Sequence, residues 1–241
     1  MWKMWFCIVI LLLIAGVFAE VERELHTFCI TRYKVLSPKW NGEKSGKIIF
    51  LSDLHNHEYG LHNKKLIDKI KKENPELILI GGDILVGKED ISYESATEFV
   101  EAICKIAPVY YANGNHEQRM KEKPEKYGNA FVGYKKRLLD AGVHFLENES
   151  AEVELGGNKL CLTGLELQLE VYEKMKTHKV TKEDVAQKVG PAKQEEIQIL
   201  LAHNPEYMEA YQAWGSDITL SGHLHGGLIC LPNGKSVITP Q

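Results

Sequence analysis

The sequence predicts an α/β layered domain, and three observations lead there. Short, wholly apolar runs recur along the chain. Longer segments with apolar residues at helical spacing alternate with them, and neither internal repeats nor low-complexity tracts break the order. Such βα alternation implies a sheet covered by helices rather than an all-β sandwich or a helical bundle. The 241 residues suit one large domain or two small ones, enough to bury a sizeable core. With 29 Lys+Arg against 33 Asp+Glu the net charge is −4, which argues against a protein that works by neutralising nucleic-acid phosphates.

The N-terminus stands apart from the fold. Residues 4–19 carry no charge, follow Lys3, and end abruptly at Glu20, Glu22, Arg23 and Glu24. The run lies between the ~20 apolar residues of a membrane span and the ~7–15 of a signal peptide. It is read as a single membrane anchor over residues 1–19, with Lys3 on the cytoplasmic side and the rest of the chain outside the cytoplasm. The alternative is secretion after cleavage behind Val17-Phe18-Ala19. Residues 20–45 are expected to form a lead-in strand and linker, and residues 46–241 the main domain. Export permits disulfides, but Cys29, Cys104, Cys161 and Cys230 show no paired spacing, so Cys104 and Cys161 are read as small buried residues.

The elements follow in order. Residues 47–51 form a buried strand. Leu66, Ile67 and Ile70 mark the inner face of a helix whose other face carries Lys64, Lys65, Lys69, Lys71 and Lys72, read as a solvated surface. Leu77-Ile-Leu-Ile80 is the next strand, residues 96–106 a helix, residues 109–111 a strand and residues 127–141 a helix. Residues 152–155 and 160–163 read as a hairpin around Gly156-Gly157-Asn158. Thr181 and Asp184 signal a helix start and Gly190-Pro191 its stop. Residues 197–201 and 218–220 are two further buried strands.

The chemistry collects where strands end. Successive strands run into Ser52-Asp53-Leu54-His55, Gly81-Gly82-Asp83, Asn113-Gly114-Asn115-His116-Glu117, Ala202-His203-Asn204 and Ser221-Gly222-His223-Leu224-His225. Open α/β sheets bind ligands beyond the carboxyl ends of their strands, so five strands deliver these groups to one edge. Gly81-Gly82, Gly114, Gly222 and Gly226-Gly227 permit tight turns and close backbone approach there. Two Asp, one Asn and four His, without Cys, form a nitrogen/oxygen donor set for Mn, Fe or Zn. Seven donors exceed one tetrahedral ion and suit two ions sharing a carboxylate. Such a pair makes a nucleophile from water at neutral pH and clamps an in-line displacement at phosphorus.

Asp53-x-His55, Gly-Gly82-Asp83, Gly-Asn115-His116-Glu, His203 and Gly-His223-x-His225 together resemble the signature of the calcineurin-like metallophosphoesterases. The apolar N-terminus and Gly-His-Leu-His-Gly-Gly resemble the membrane-associated bacterial branch of that family. The resemblance implies a sandwich of two mixed β-sheets flanked by helices. It also implies two divalent metal ions, with Asp53, His55 and His225 holding the first, Asn115, His203 and His223 the second, and Asp83 bridging. His116 would be catalytic, outside the metal shell, stabilising the transition state and protonating the leaving oxygen. Relatives continue past the last motif with further strands, so a C-terminally truncated fold is expected.

The implied reaction is hydrolysis of phosphodiester or pyrophosphate bonds. Leu167, Leu169, Val171, Tyr172 and Met175 form a possible apolar lip, with a small self-packed helix as the alternative. A lip beside an anchor would suit a phosphorylated small-molecule or lipid-linked substrate. A membrane-tethered binding or scaffold protein with an inactive fold is the competing reading, opposed by the intact ligand set. His57 is expected to be a solvent-exposed loop residue, and His144 and His178 structural or exposed.

Overall fold

The computed structural model describes residues 2–41, 44–173, 178–225, 229–230 and 236–238. Helix α1, Trp2–His26, has no buried residue. It runs past the apolar segment because nothing in residues 20–26 breaks a helix, and Arg23 pairs with Glu20 one turn back at 2.6 Å.

The lead-in strand expected within residues 20–45 does not form among the described residues. After α1 the chain becomes an irregular strap held by side chains. Phe28 meets Tyr59 edge to face at 4.8 Å between ring centroids. Arg32 pairs with Glu73, Lys39 with Asp217 at 2.7 Å, and the Asn41 amide donates to Asn158 Oδ1 at 2.7 Å.

The first sheet holds β1 (Ile48–Leu51), β2 (Leu77–Ile80), β3 (Val109–Tyr111) and β4 (His144–Phe145), in that order and all parallel. Its crossovers are α2 (Lys64–Glu73), α3 (Glu94–Ile103), and then α4 (Asn115–Glu122), α5 (Pro124–Tyr127) and α6 (Ala130–Asp140). The expected helix over 127–141 is split because Gly128 takes φ 57°, a left-handed turn that ends α5.

The second sheet is mixed, in the order β5 (Ser150–Leu155), β6 (Asn158–Leu165), β7 (Ile197–Ala202), β8 (Ile218–Leu220). The β5–β6 hairpin turns on Gly156 and Gly157, both at positive φ, as a two-residue type I′ connection requires. Strands β6, β7 and β8 then run parallel, linked by α7 (Lys182–Val189) and α8 (Met208–Trp214). Helix α7 carries the anticipated capping box, with Thr181 Oγ1 accepting from the Asp184 amide and Gly190 at φ 79° closing it. Strands β9 (Ile229–Cys230) and β10 (Ser236–Ile238) pair antiparallel.

Strand alternation sorts the side chains into layers. Leu77 and Leu79 point between the sheets with Leu160, Leu162, Ile197, Ile199 and Leu201. Ile78 and Ile80 point the other way, under α2, α3 and α6. Leu200 and Ala202 pack beneath α7 and α8. The result is helices, sheet, sheet, helices. Each fully buried Leu or Ile contributes roughly 1.5–3 kcal/mol by leaving water, so the inner faces of β2 and β7 hold the two sheets together while their outer faces hold the helices. Cys104 and Cys161 are unpaired thiols, half-buried and buried.

Candidate metal centre

Parallel order puts the carboxyl ends of β1, β2 and β3 at one edge, and β7 and β8 deliver theirs to the same edge from the second sheet. The loops there are drawn together by backbone bonds. The Asp53 amide donates to Gly82 O at 3.1 Å, and the His55 amide to Asp83 O at 3.0 Å. A Cβ on Gly82 would lie 2.0 Å from the Gly114 nitrogen, so the β2 and β3 loops touch only because that residue is glycine. Gly222 lies against Asp53 in the same way, where a Cβ would stand 2.4 Å from Oδ2.

Five of the sequence-predicted ligands sit at positive φ: Asp53 (57°), His55 (50°), Asp83 (55°), His223 (71°) and His225 (51°). Asp, Asn and His tolerate this region better than other side chains, and such strain clusters where a site needs particular directions.

The structure brings all eight predicted site residues to this edge. The ligating atoms of Asp53, His55 and His225 lie within 4.8 Å of one another, and so do those of Asp83, His203 and His223. Asp83 stands between the sets. Its Oδ1 accepts from the His116 amide at 2.8 Å, while Oδ2 faces His203 Nε2 at 3.1 Å and His55 Nε2 at 3.8 Å. Asn115 begins α4 with its Oδ1 buried and unpartnered.

Two short approaches demand a cation. His203 Nδ1 contacts Gly81 O at 2.7 Å, which makes Nδ1 the proton carrier and turns the lone pair of Nε2 toward Asp83. His55 and His225, with rings stacked at 8°, bring their Nε2 atoms to 3.1 Å. Acceptors this close need a proton or a metal ion between them. In the metal-free protein, burial opposes charge on His203, but the facing Asp83 carboxylate prevails and raises its pKa to about 9. Burial likewise opposes charge on Asp83, yet His203 and His116 hold it well below the usual carboxylate range. Burial lowers His55, and lowers His223 to about 4, aided by neighbouring His203. Both imidazoles are therefore neutral at pH 7, the form that ligates metals. The residues present fit a pair of divalent ions.

His116 lies beside this set. The Gly87 amide donates to its Nδ1 at 2.9 Å, so the neutral ring carries its proton on Nε2, 3.9 Å from Asp83 Oδ2. Burial, with His55 and Arg119 nearby, lowers its pKa to about 4.

Sequence reasoning missed Glu117. The residue is fully buried, and its carboxylate accepts from the amides of Asp83 (2.8 Å), Ile84 (3.0 Å) and Gly114 (3.0 Å) and from Tyr111 OH (2.7 Å). It staples the loop bearing Asp83 to the helix start bearing Asn115 and His116. Burial and the Asp83 charge raise its pKa to about 7. An acid three residues into a helix that begins after Gly114 is the capping-box signal that could have found it. His57, expected in solvent, is half-buried with its ring 4.6 Å from Tyr59. The lip divides: Leu167 and Val171 pack into the core under α7 and α8, because apolar area is covered there, whereas Tyr172 stands edge-on to His223 at 5.1 Å. Met175, Gly226 and Gly227 lie outside the described residues.

Comparison with known proteins bears on this geometry. Residues 46–227 match the family described as Calcineurin-like phosphoesterase. The chain is 25% identical over 209 residues to the uncharacterized protein YpbG of Bacillus subtilis, covering 85% of this chain and 68% of that protein. It is 26% identical over 192 residues to the phosphodiesterase YaeI of Escherichia coli, covering 77% and 63%. It is 27% identical over 192 residues to the uncharacterized metallophosphoesterase YkoQ of B. subtilis, covering 78% and 64%. The chain thus spans about two thirds of the length of these relatives.

Proposed function

The chain belongs to the calcineurin-like phosphoesterase family, and on that premise we propose that it is a metal-dependent phosphoesterase cleaving phosphodiester or pyrophosphate bonds at a centre of two divalent ions. The observation that carries this reading is the shared carboxylate: Asp83 Oδ2 faces His203 of one ligand set and His55 of the other. Asp53, His55 and His225 would hold one ion, and His203, His223 and Asn115 the second, with Asp83 common to both. Two such ions, when bound, neutralise phosphoryl oxygens and make water nucleophilic at neutral pH.

The chain's own groups do the rest. Asp53 is fixed by the His223 amide, which donates to its oxygens at 2.9 and 3.1 Å, so the first and last motifs cannot drift apart. Glu117 fixes Asp83 and the start of α4. His116 donates a hydrogen bond from Nε2–H to a phosphoryl oxygen, and the Gly87 amide keeps the neutral ring in that tautomer.

Helix α1 completes the reading as a membrane anchor. Its 18 residues up to Ala19 extend ~27 Å at ~1.5 Å per residue, close to the ~30 Å hydrocarbon core of a bilayer. An anchored phosphoesterase suits a lipid-linked phosphate or pyrophosphate as substrate.

The test is hydrolysis of a chromogenic phosphodiester by manganese-loaded protein, with chelated protein as control. Turnover that disappears with the metal supports the reaction class; two bound ions without turnover of any phosphoester would favour a binding role. His116→Gln should lower kcat by ~10²–10³-fold, the range for loss of one preorganised hydrogen-bond donor, while metal content by elemental analysis stays unchanged. Activity near wild type would remove His116 from the mechanism.

A further inference from the structure

We propose that the mouth of the metal centre faces the bilayer from which α1 emerges, held there by an aromatic contact between the strap and the site loop. The inference rests on reading α1 as a retained anchor, and deepens the functional proposal by placing the scissile phosphate at lipid-headgroup depth. Three observations carry it.

The first is the short path from anchor to site. Residues 20–26 continue α1 past its apolar run and add ~10 Å of helix, comparable to the ~5–8 Å headgroup layer on each side of a membrane. Only Thr27 then separates His26 from Phe28, a reach of at most ~7 Å. Phe28 packs on Tyr59 at 4.8 Å, and Tyr59 on His57 at 4.6 Å, two residues from His55.

The second is the direction of the strap. Helix α2 starts at the site edge and ends at the opposite edge, where Glu73 precedes β2. The strap contacts Tyr59, ahead of α2, and then Glu73 at its far end. It goes on to Asp217, which precedes β8, and Asn158, which starts β6. The chain therefore enters at the site edge and descends the side of the domain. An anchor entering at the far edge would turn the site away from the membrane, and this one does not.

The third is the surface at the site edge. Leu61, 78% exposed, and Ile91, 45% exposed, are apolar residues on the rim. The Ile91 loop is tied to the β1 loop where the Asn56 amide group donates to Ser92 O at 3.0 Å. Exposed Lys64, ion-paired with Asp68 at 2.9 Å, and exposed Lys65, whose amide donates to Tyr59 O at 3.1 Å, begin the helix that follows Leu61. Apolar side chains beside lysines match an interface in which carbon enters the headgroup layer and ammonium groups meet phosphates.

Lysine acetylation of the full chain in phospholipid nanodiscs, read residue by residue by mass spectrometry, tests this. Lys64 and Lys65 at the membrane end of α2 are compared with Lys71 and Lys72 at the other end, all four exposed. We expect Lys64 and Lys65 to react at least ~5-fold more slowly, and the difference to vanish when ten Gly/Ser residues inserted after Thr27 are combined with Phe28→Ala. Equal rates at both ends, or a difference that survives the insertion, would overturn the orientation. With manganese bound, the same insertion should lower turnover of a phosphodiester lipid in the disc by ~10-fold and leave a soluble diester within ~2-fold. Unchanged lipid turnover would also overturn it. The acetylation pattern needs no turnover, so a failure of the phosphoesterase reading would show separately, as no hydrolysis of either diester.

Discussion

Asp83→Asn is expected to abolish metal binding and lower phosphodiester hydrolysis by at least ~10³-fold together. The amide oxygen can still accept from the His116 amide, as Oδ1 now does at 2.8 Å. An NH₂ or a neutral oxygen would then face His203 and His55 in place of the charged Oδ2, removing the negative charge that both ligand sets share. Elemental analysis after manganese loading and the chromogenic assay measure the two losses. Full metal content, or activity within tenfold of wild type, would remove Asp83 from the bridging position. The same pair sets a pH dependence in the metal-free protein. Asp83 has a lowered pKa when folded, so its contribution is present above ~3.9, the unfolded value, and fades as the pH falls below it. His203 has a raised pKa, so its contribution is complete below ~6.5 and is lost as pH rises through about 9. Chelated wild type should therefore gain most from this pair between about pH 4 and 6.5. A thermal midpoint still climbing from pH 6.5 to 9 in wild type but not in Asp83→Asn would contradict that.

Glu117→Ala should be the most damaging single change to the fold itself, costing about 3–5 kcal/mol. It leaves the amides of Asp83, Ile84 and Gly114 and the hydroxyl of Tyr111 without their acceptor, inside a region closed to water. Tyr111 also contacts Tyr134 OH at 3.0 Å, so the loss spreads toward α6. In a protein of this size the cost corresponds to a fall of ~10 °C in the melting midpoint of the metal-free form. A loss under ~1 kcal/mol would mean that water or another group takes over the acceptor role.

Strands β2, β3 and β8 were legible to the residue; β2, buried at all four positions, is apolar throughout because it is covered on both faces, and the short β3 and β8 runs are bounded by turn residues. The convergence of the candidate site residues on one edge was legible for a related reason: each lies just beyond the end of a strand. What escaped is what tertiary contacts decide. Helix α4 reads as a loop, since Asn115, Glu117 and Gln118 are polar yet buried, and only the network around Asp83 makes that burial favourable. Helix α8 is seven residues long, too short for its apolar Ala210, Tyr211 and Trp214 to show a period. The strap looks like a strand in composition, but Phe28, Arg32 and Lys39 each answer to a distant partner, and none of those pairings is visible locally. His57 was misjudged for the same reason, as its cover comes from Tyr59 and, through it, from Phe28.

The left-handed backbone at Asp53, His55, Asp83, His223 and His225 constrains how this gene can drift. At those five positions a replacement must satisfy the main chain even after chemistry has ceased to matter. Asparagine and glycine meet that condition, while valine, isoleucine and threonine do not. A duplicated copy released from selection for activity should accordingly accumulate Gly and Asn at these codons before other residues, and keep Glu117 and the glycines beside it longest. Inactive descendants of such a protein would be told apart by that pattern of loss, a biased decay in which the turns outlive the ligands they were shaped to carry.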